Sequence, residues 1–183
     1  MELIKQNTQS KLLKSLIVIF LGSILLAISA KIKIPFYPVP MTMQTFVVLL
    51  LGLSFGYKIG LATVCLYLLE GIVGLPVFSN SPERGVGLVY FTGPTMGYLI
   101  GFLSATYLAS LVQDKDNLIK IIIKLTFAVS TIYLIGILWL GTLIGWEKPI
   151  FNLGVAPFLL AEIFKISLLA IITKKIFKFR KFI

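Results

Sequence analysis

The stretch TFVVLLLGLSFGYKIGLATVCLYLLEG, residues 45–71, holds two apolar runs with a single basic residue, Lys58, between them. A helix needs about 20 mostly apolar residues to cross a bilayer. We therefore predict one membrane span over residues 42–57 and another over residues 59–78. The second of these contains Glu70 and ends among glycines and a proline, which interrupt helices.

Four further apolar runs lie before and after this pair in the chain, over residues 15–30, 91–112, 119–145 and 154–173. Of the 183 residues, 58% are hydrophobic and 13% are charged, whereas soluble domains are usually about 45 to 50% apolar. We predict an all-α membrane protein, a compact bundle of six transmembrane helices that forms one domain over residues 1–183. The first run also resembles a signal peptide, but another hydrophobic span follows it instead of a soluble domain.

Basic residues are distributed unevenly over the loops of this six-span arrangement. If both termini are cytoplasmic, 12 basic residues lie on the cytoplasmic side and four on the opposite side, as the positive-inside rule favours. The net charge of +10 suits anionic lipid headgroups better than nucleic acid, because the charges lie in short loops and tails. The final segment, residues 174–183, fits either the basic cluster that ends the last span or an amphipathic strip on the membrane surface. The cytoplasmic set is Lys5, Lys11, Lys14, Lys58, Lys115, Lys120, Lys124, Lys174, Lys175, Lys178, Arg180 and Lys181; the other set is Lys31, Lys33, Arg84 and Lys148.

Several classes of chemistry require residues that this chain does not have. There is no histidine and only one cysteine, Cys65, so we predict no internal disulfide, no metal site and no catalytic triad. The sequence has no glycine-rich nucleotide loop of the G-x-x-x-x-G-K-[ST] type. We therefore predict that the chain is not an enzyme, that it holds no cofactor, and that any ATP is used by partner subunits.

Three stretches carry the polar residues of a candidate site. In PFYPVPMTMQT, residues 35–45, three prolines predict a stiff extended loop over a cavity, with Thr42 and Gln44 presented to a small polar ligand. Helix capping is the alternative role for these two residues. In residues 74–102, clustered glycines and aromatic rings, Tyr98 among them, also suggest a site.

The other residues that stand out in the sequence are glycines with helical spacing and charged residues within apolar runs. Gly97 and Gly101 lie four residues apart, and we interpret them as a contact between helices. In the last run, Glu162 and Lys165 share one helical face, so they form either part of a pocket or a structural ion pair. Glu70 is a further acid within the membrane, with Lys124 or Lys165 as its expected partner.

Four blocks, VPMTMQT, GLPVF, GPTMGYLIGF and APFLLAEIFK, follow one another between residues 39 and 165. In this order they resemble the BioY family, the biotin-binding S components of energy-coupling-factor (ECF) transporters. The resemblance implies a plasma-membrane protein that captures biotin from outside. It implies partnership with a transmembrane coupling subunit and two ATPase subunits, although some relatives work alone. Glu162 stands where the family usually has Asp.

What the resemblance implies for the site follows from the chemistry of biotin. Glu162 would accept hydrogen bonds from the ureido N–H groups, and the amides of Asn80 and Gln44 would serve either edge of the ring. Lys165 would donate to an acceptor on biotin, and Arg84 would meet its carboxylate tail. Tyr98 and other aromatic residues would cover the rings.

Other functions stay open at this point. An S component for a different vitamin would share the fold, and an intramembrane enzyme or a scaffold protein would share the composition. The first span carries a strip of small residues, Ser23, Ala27 and Ala30, which suits contact with a coupling subunit or packing within the chain equally well.

Overall fold

The computed structural model describes residues 2–181, and the side chains of residue 9 and of residues 11–180. The fold is mostly helical, which confirms the prediction of an all-α chain. The helices are α1 (Glu2–Lys31), α2 (Gln44–Ile72), α3 (Met96–Ser110), α4 (Leu118–Ile144), α5 (Ile150–Gly154) and α6 (Leu159–Ile176). Two short strands, β1 (Lys33–Ile34) and β2 (Met41–Thr42), pair antiparallel. Single 3₁₀ turns cover Gly87–Thr92, Ala156–Phe158 and Phe177–Lys181.

Helix α2 is a helical hairpin that turns at Gly56. This residue has φ 75° and ψ −179°, a conformation open to glycine but strained for other residues. The side-chain amide of Gln44, at the start of α2, donates to the Tyr67 hydroxyl at 2.7 Å, although 23 residues separate them. A straight helix would hold them about 35 Å apart at 1.5 Å per residue. The two halves therefore correspond to the two predicted runs, and the second half ends at Ile72 instead of residue 78.

By length and composition, four helical segments of the described residues can cross a membrane: Lys11–Lys31, Gln44–Ile72, Leu118–Ile144 and Ile150–Arg180. Helix α3 is apolar but shorter. These segments support a multi-pass membrane protein. The prediction of helix over residues 91–95 is wrong, because Gly87–Thr92 is a 3₁₀ turn and a bend at Gly93 precedes α3.

Helices α3 and α4 pack backbone to backbone through glycines. A Cβ added at Gly101 would lie 2.7 Å from the Ile132 Cα, and one added at Gly97 would lie 2.6 Å from the Ile135 carbonyl oxygen. Gly136 in turn accommodates the ring of Tyr98. The interpretation of Gly97 and Gly101 as a helix contact is confirmed, and the same contact fixes Tyr98.

Gly101→Ala is expected to destabilise the bundle by about 1 to 3 kcal/mol, the usual cost of overpacking a core, because backbone atoms of α4 must move. The measurement is thermal unfolding of the purified protein in detergent. Gly93→Ala is the matched control, since its added Cβ would meet only the Tyr90 carbonyl oxygen at 3.2 Å. Equal melting temperatures for the two variants would contradict the close α3–α4 contact.

Hydrogen bonds show which connecting segments lie together at each of the two ends of the bundle. The Arg180 guanidinium donates to the carbonyl oxygens of Leu53 at 2.7 Å and Ser110 at 2.8 Å. The final segment, the Gly56 turn and the loop after α3 therefore share one end, here called the C-terminal end. At the opposite end, here called the loop end, Lys31 donates to the carbonyl oxygens of Phe78 and Ser81. This grouping matches the loop assignment predicted from charge; Lys5 and Lys181, two of the 12 basic residues, lie outside the described side chains. Arg180 binds the described part of the final segment to the bundle, and the two predicted alternatives for this segment stay predictions.

The membrane-embedded acid Glu70 has a partner that sequence analysis did not predict. The Ser23 hydroxyl donates to Glu70 Oε1 at 2.8 Å, whereas Lys124 pairs with Asp116 at 2.6 Å and Lys165 with Glu162 at 2.9 Å. The predicted ion pair of Glu70 with either lysine is therefore wrong. Ser23 and Ala30 are fully buried, so these two residues of the strip on α1 pack within the chain, whereas Ala27 is partly exposed. The hydrogen bond from Lys124 also lowers the pKa of Asp116 in the loop after α3.

Candidate functional site

A cavity lies at the loop end of the bundle, beneath the segment that joins β1 to α2. Its floor and walls come from five parts of the chain: residues 39–45, the 79–95 connection, helix α3, helix α4, and residues 158–162 around the start of α6. The polar residues around it are Thr42, Gln44, Thr45, Ser79, Tyr90, Thr95, Tyr98, Tyr133 and Glu162. The cavity thus brings together residues that are more than 110 positions apart in sequence.

The carboxylate of Glu162 is the only charged group that lines this cavity among the described residues. It is 4% exposed. Its Oε1 accepts three hydrogen bonds, from the hydroxyls of Thr45 at 2.8 Å and Tyr133 at 3.1 Å and from Lys165 Nζ at 2.9 Å. These donors come from α2, α4 and α6 and hold the carboxylate in one orientation. Its charge is compensated, as a buried carboxylate requires.

Two polar atoms of the cavity lack a partner within the described residues. Glu162 Oε2 and Ser79 Oγ are buried and accept or donate no hydrogen bond there. Both residues line the cavity. A buried polar atom without a partner costs about 1 to 3 kcal/mol, so a ligand that supplied a donor to Oε2 would recover that cost. The cavity therefore offers two unpaired polar atoms, Glu162 Oε2 and Ser79 Oγ, to a ligand with N–H or O–H groups.

Four of the seven predicted site residues line the cavity: Thr42, Gln44, Tyr98 and Glu162. The Thr42 hydroxyl donates to the Gln44 side-chain oxygen at 3.2 Å, while the Gln44 amide binds Tyr67. The Tyr98 hydroxyl donates to the carbonyl oxygen of Gly154 at 2.9 Å. These three side chains are already held by the protein, so they present fixed surfaces to a ligand.

Lys165 lies behind Glu162 and not along the cavity wall. Its ammonium makes three hydrogen bonds, to the Thr42 carbonyl oxygen at 2.8 Å, the Thr45 hydroxyl at 2.9 Å and Glu162 Oε1. An ammonium has three donors, so no N–H is left for a ligand in this arrangement. In this arrangement Lys165 positions Glu162, and its predicted contact with an acceptor on the ligand stays a prediction.

Asn80 and Arg84 lie in the 78–84 loop at the loop end, above the cavity. Lys33 Nζ donates to Asn80 Oδ1 at 2.5 Å, and Arg84 donates to the Pro38 carbonyl oxygen at 2.8 Å. The Arg84 bond joins the 35–40 loop to the 78–84 loop across the mouth. Both residues lie outside the cavity lining, so their predicted ligand contacts stay predictions that depend on how the loops close.

Sequence analysis did not select Thr45, Ser79 or Tyr133 as site residues. Tyr133 lies in a long apolar run that gives no signal of a site, although a tyrosine inside a span needs a partner for its hydroxyl. Its ring stacks on Phe158 with centroids 6.0 Å apart. Tyr90, another of the aromatic rings of residues 74–102, donates to the Ser79 carbonyl oxygen at 2.7 Å, and burial raises the pKa of its hydroxyl.

Comparison with known proteins identifies the family. The family model described as "BioY family" matches residues 4–182. The chain belongs to the BioY family. It is 36% identical over 162 residues to the probable biotin transporter BioY of Pyrococcus horikoshii, covering 88% of this chain and 94% of the relative. It is 33% identical over 155 residues to the biotin transporter BioY of Thermotoga maritima, covering 84% and 90%.

A solved structure is similar over nearly the whole fold. The S component for biotin from an ECF-type ABC transporter superposes with a TM-score of 0.76 and 25% identity, covering 92% of this chain and 93% of that one. Membership in a transporter family confirms the prediction that this BioY chain is not an enzyme. It also confirms the resemblance drawn from the four sequence blocks.

Proposed function

We propose that this BioY protein is the biotin-binding S component of an ECF-type transporter and that Glu162 binds the ureido ring of biotin. The observation that carries the proposal is the unpartnered Oε2 of Glu162, buried beside the cavity, while Oε1 of the same carboxylate accepts three hydrogen bonds. A ureido group offers two N–H donors and one carbonyl acceptor. Glu162 Oε2 accepts one N–H, and the Ser79 hydroxyl donates to the carbonyl.

The apolar part of the cavity suits the remainder of biotin. Leu99, Phe102, Ile132 and Phe158 line it, and such surfaces bind a thioether ring by burial. The outer loops, with Arg84 and Lys33, lie where a carboxylate tail would leave the cavity. Biotin enters only after these loops separate, because the free volume of the cavity is about 50 Å³, enough for water and little more.

Direct binding of radiolabelled biotin to the purified protein tests this proposal. Competition with unlabelled biotin and with other water-soluble vitamins separates it from the alternative of an S component for a different vitamin. Displacement by biotin and by desthiobiotin, which keeps the ureido ring, is expected, and displacement by vitamins without that ring is not. A chain that retains another vitamin but not biotin would establish the alternative.

The wider assignment follows from family membership and from the two-ended arrangement of the loops. Because α2 is a hairpin, the bundle crosses the plasma membrane six times, with the loop end outside and both termini in the cytoplasm. The partners are a transmembrane coupling subunit and two ATPase subunits, or none in a solitary form. ATP is used by those partners, and this chain carries no cofactor.

Cysteine labelling in intact cells is expected to place residue 83 outside and residue 115 inside. Glu83→Cys and Lys115→Cys are made in a Cys65→Ala background, because Cys65 is exposed and free. Both chosen positions are exposed, whereas the neighbouring Asp116 is buried in its ion pair with Lys124. An impermeant maleimide should modify residue 83 at least about 10-fold faster. Faster modification of residue 115 would reverse the topology.

Ser79→Ala is expected to weaken biotin binding by about 10-fold, the value of one net hydrogen bond of about 1.4 kcal/mol. The Ser79 hydroxyl has no partner within the described residues, so its removal costs the free protein nothing in hydrogen bonding. Ser81→Ala is the matched control, since Ser81 is also buried without a side-chain partner but lies outside the cavity lining. Equal loss in both variants would remove Ser79 from the site.

A further inference from the structure

A second concavity runs along the outer side of the bundle between α4 and α6. This lateral crevice extends from Ile122 to Ile137 on α4 and from Leu159 to Ser167 on α6, and its volume is about 590 Å³. Both flanking segments are candidate membrane spans. The crevice therefore opens at the depth of the lipid hydrocarbon, away from the mouth of the ligand cavity.

The walls of the lateral crevice are suited to hydrocarbon. Ten of its sixteen lining residues are aliphatic or aromatic side chains without a polar atom. Of its hydroxyls, Ser130 donates to the Phe127 carbonyl oxygen at 2.8 Å, and Thr131 to that of Ala128 at 2.8 Å. Tyr133 donates to Glu162. These three of its five hydroxyls are satisfied within the chain, so they require no polar partner from an occupant.

The depth and width of the lateral crevice favour an alkyl chain over a helix as its occupant. The crevice reaches inward to Glu162, which is 4% exposed, past Phe127 and Ile163, which are each 61% exposed. A helix with its side chains is about 10 to 12 Å across, too wide to pass two projecting side chains and fill the depth. A single alkyl chain is slender and flexible enough to do so.

Charge at one end of the crevice points to the headgroup. Lys174 follows Ser167 by seven residues and Lys120 precedes Phe127 by seven, so each lies on the crevice face of its helix about 10 Å beyond that residue. Both lysines are exposed, and both lie at the C-terminal end, since α4 and α6 run antiparallel. Two ammonium groups at the membrane surface attract an anionic phosphate.

We propose that the lateral crevice is a lipid-binding site that holds one acyl chain of an anionic phospholipid, with its phosphate between Lys120 and Lys174. Glu162 and Tyr133 line both the crevice and the ligand cavity. The bound chain therefore covers the membrane side of the wall that holds the ligand-facing carboxylate. The proposal does not depend on which vitamin the cavity binds.

Native mass spectrometry of the protein released from nanodiscs tests this site. In discs of equal parts phosphatidylglycerol and phosphatidylcholine, one retained phosphatidylglycerol per chain is expected under activation that strips other lipids. Ser130→Phe with Ser167→Phe fills the crevice and should abolish this retention. Thr142→Phe is the matched control, because Thr142 is an exposed hydroxyl on α4 outside the crevice.

The lysines supply an independent arm that leaves the crevice intact. Lys120→Gln with Lys174→Gln should reduce the preference for phosphatidylglycerol at least fivefold, whereas Lys148→Gln, at the loop end, should not change it. Equal retention of both lipids by the unaltered protein would overturn the proposal, as would undiminished retention in the filled variant. A dimer that the filling substitutions convert to monomer would show that a second copy occupies the crevice, and would also overturn it.

Discussion

Glu162→Gln is expected to weaken biotin binding between about 10-fold and about 100-fold. A hydrogen bond to a charged group contributes about 1.5 to 3 kcal/mol, and each ~1.4 kcal/mol is tenfold in affinity. Glutamine has nearly the same size, so the cavity keeps its shape. Its amide, however, replaces an acceptor-only group with one that is half donor, and one of the two ureido N–H groups loses its charged acceptor. Radiolabelled biotin binding to the purified variant measures the change.

The control for this substitution is another carboxylate at membrane depth. Glu70 is bound by Ser23 on the far side of α2 and lies outside the ligand cavity. Glu70→Gln also removes one carboxylate charge at membrane depth, although Glu70 is partly exposed and has a hydroxyl partner instead of an ammonium. Its biotin affinity should match that of the unaltered protein. Glu162→Asp, the residue usual in the family, should retain affinity within about threefold, since a carboxylate with the same donors remains. Equal affinity in Glu162→Gln and Glu70→Gln would sink the assignment of Glu162 as the ligand acceptor.

Much of the bundle could be predicted because each apolar run is long and its ends carry charge. The two runs around Gly56 illustrate this: the hydropathy pattern separates them, and the structure shows a hairpin in which Gln44 binds Tyr67. Where a prediction was wrong, a second local preference of the chain outweighed the one on which the prediction rested. Residues 91–95 lie at the start of the predicted run 91–112, yet the Gly-Pro-Thr turn delays α3 until Met96.

The carboxylate at the centre of the site, Glu162, could be predicted from the sequence, but the residues that bind it could not. Glu162 stood out because a charge within an apolar span is costly and therefore indicates a function or a pair. Which lysine would meet which acid depended on the rotation of each helix, which sequence spacing does not determine. Glu70 consequently faces α1 and binds Ser23. Ser79 gave no signal, because a serine in a loop usually contacts water, and only its burial in the fold leaves the hydroxyl without a partner.

Lys165→Met is expected to destabilise the folded protein by about 3 to 5 kcal/mol, the usual result of removing one member of a buried ion pair. Lys165 is 3% exposed. Its ammonium makes three hydrogen bonds, two of them to Thr45 and Glu162. Without it, the Glu162 carboxylate keeps only its hydroxyl donors. Biotin affinity should also fall, by at least about 10-fold, because the carboxylate loses its fixed orientation and its compensating charge.

A double variant separates the positioning role of Lys165 from a structural one. When Glu162→Gln is added to Lys165→Met, no uncompensated charge is left in the interior, so thermal stability in detergent should recover most of the loss. Biotin binding should not recover, because the acceptor for the ureido ring is absent. Melting temperature and dissociation constant are measured on the same preparations of both single variants, the double variant and the unaltered protein. If Lys165→Met lowers the melting temperature while its folded molecules bind biotin with unaltered affinity, the ion pair serves the fold alone. If Glu162→Gln also leaves the affinity unaltered, the ligand contacts must be sought among Gln44, Ser79 and Tyr98, whose side chains do not bind the ammonium of Lys165.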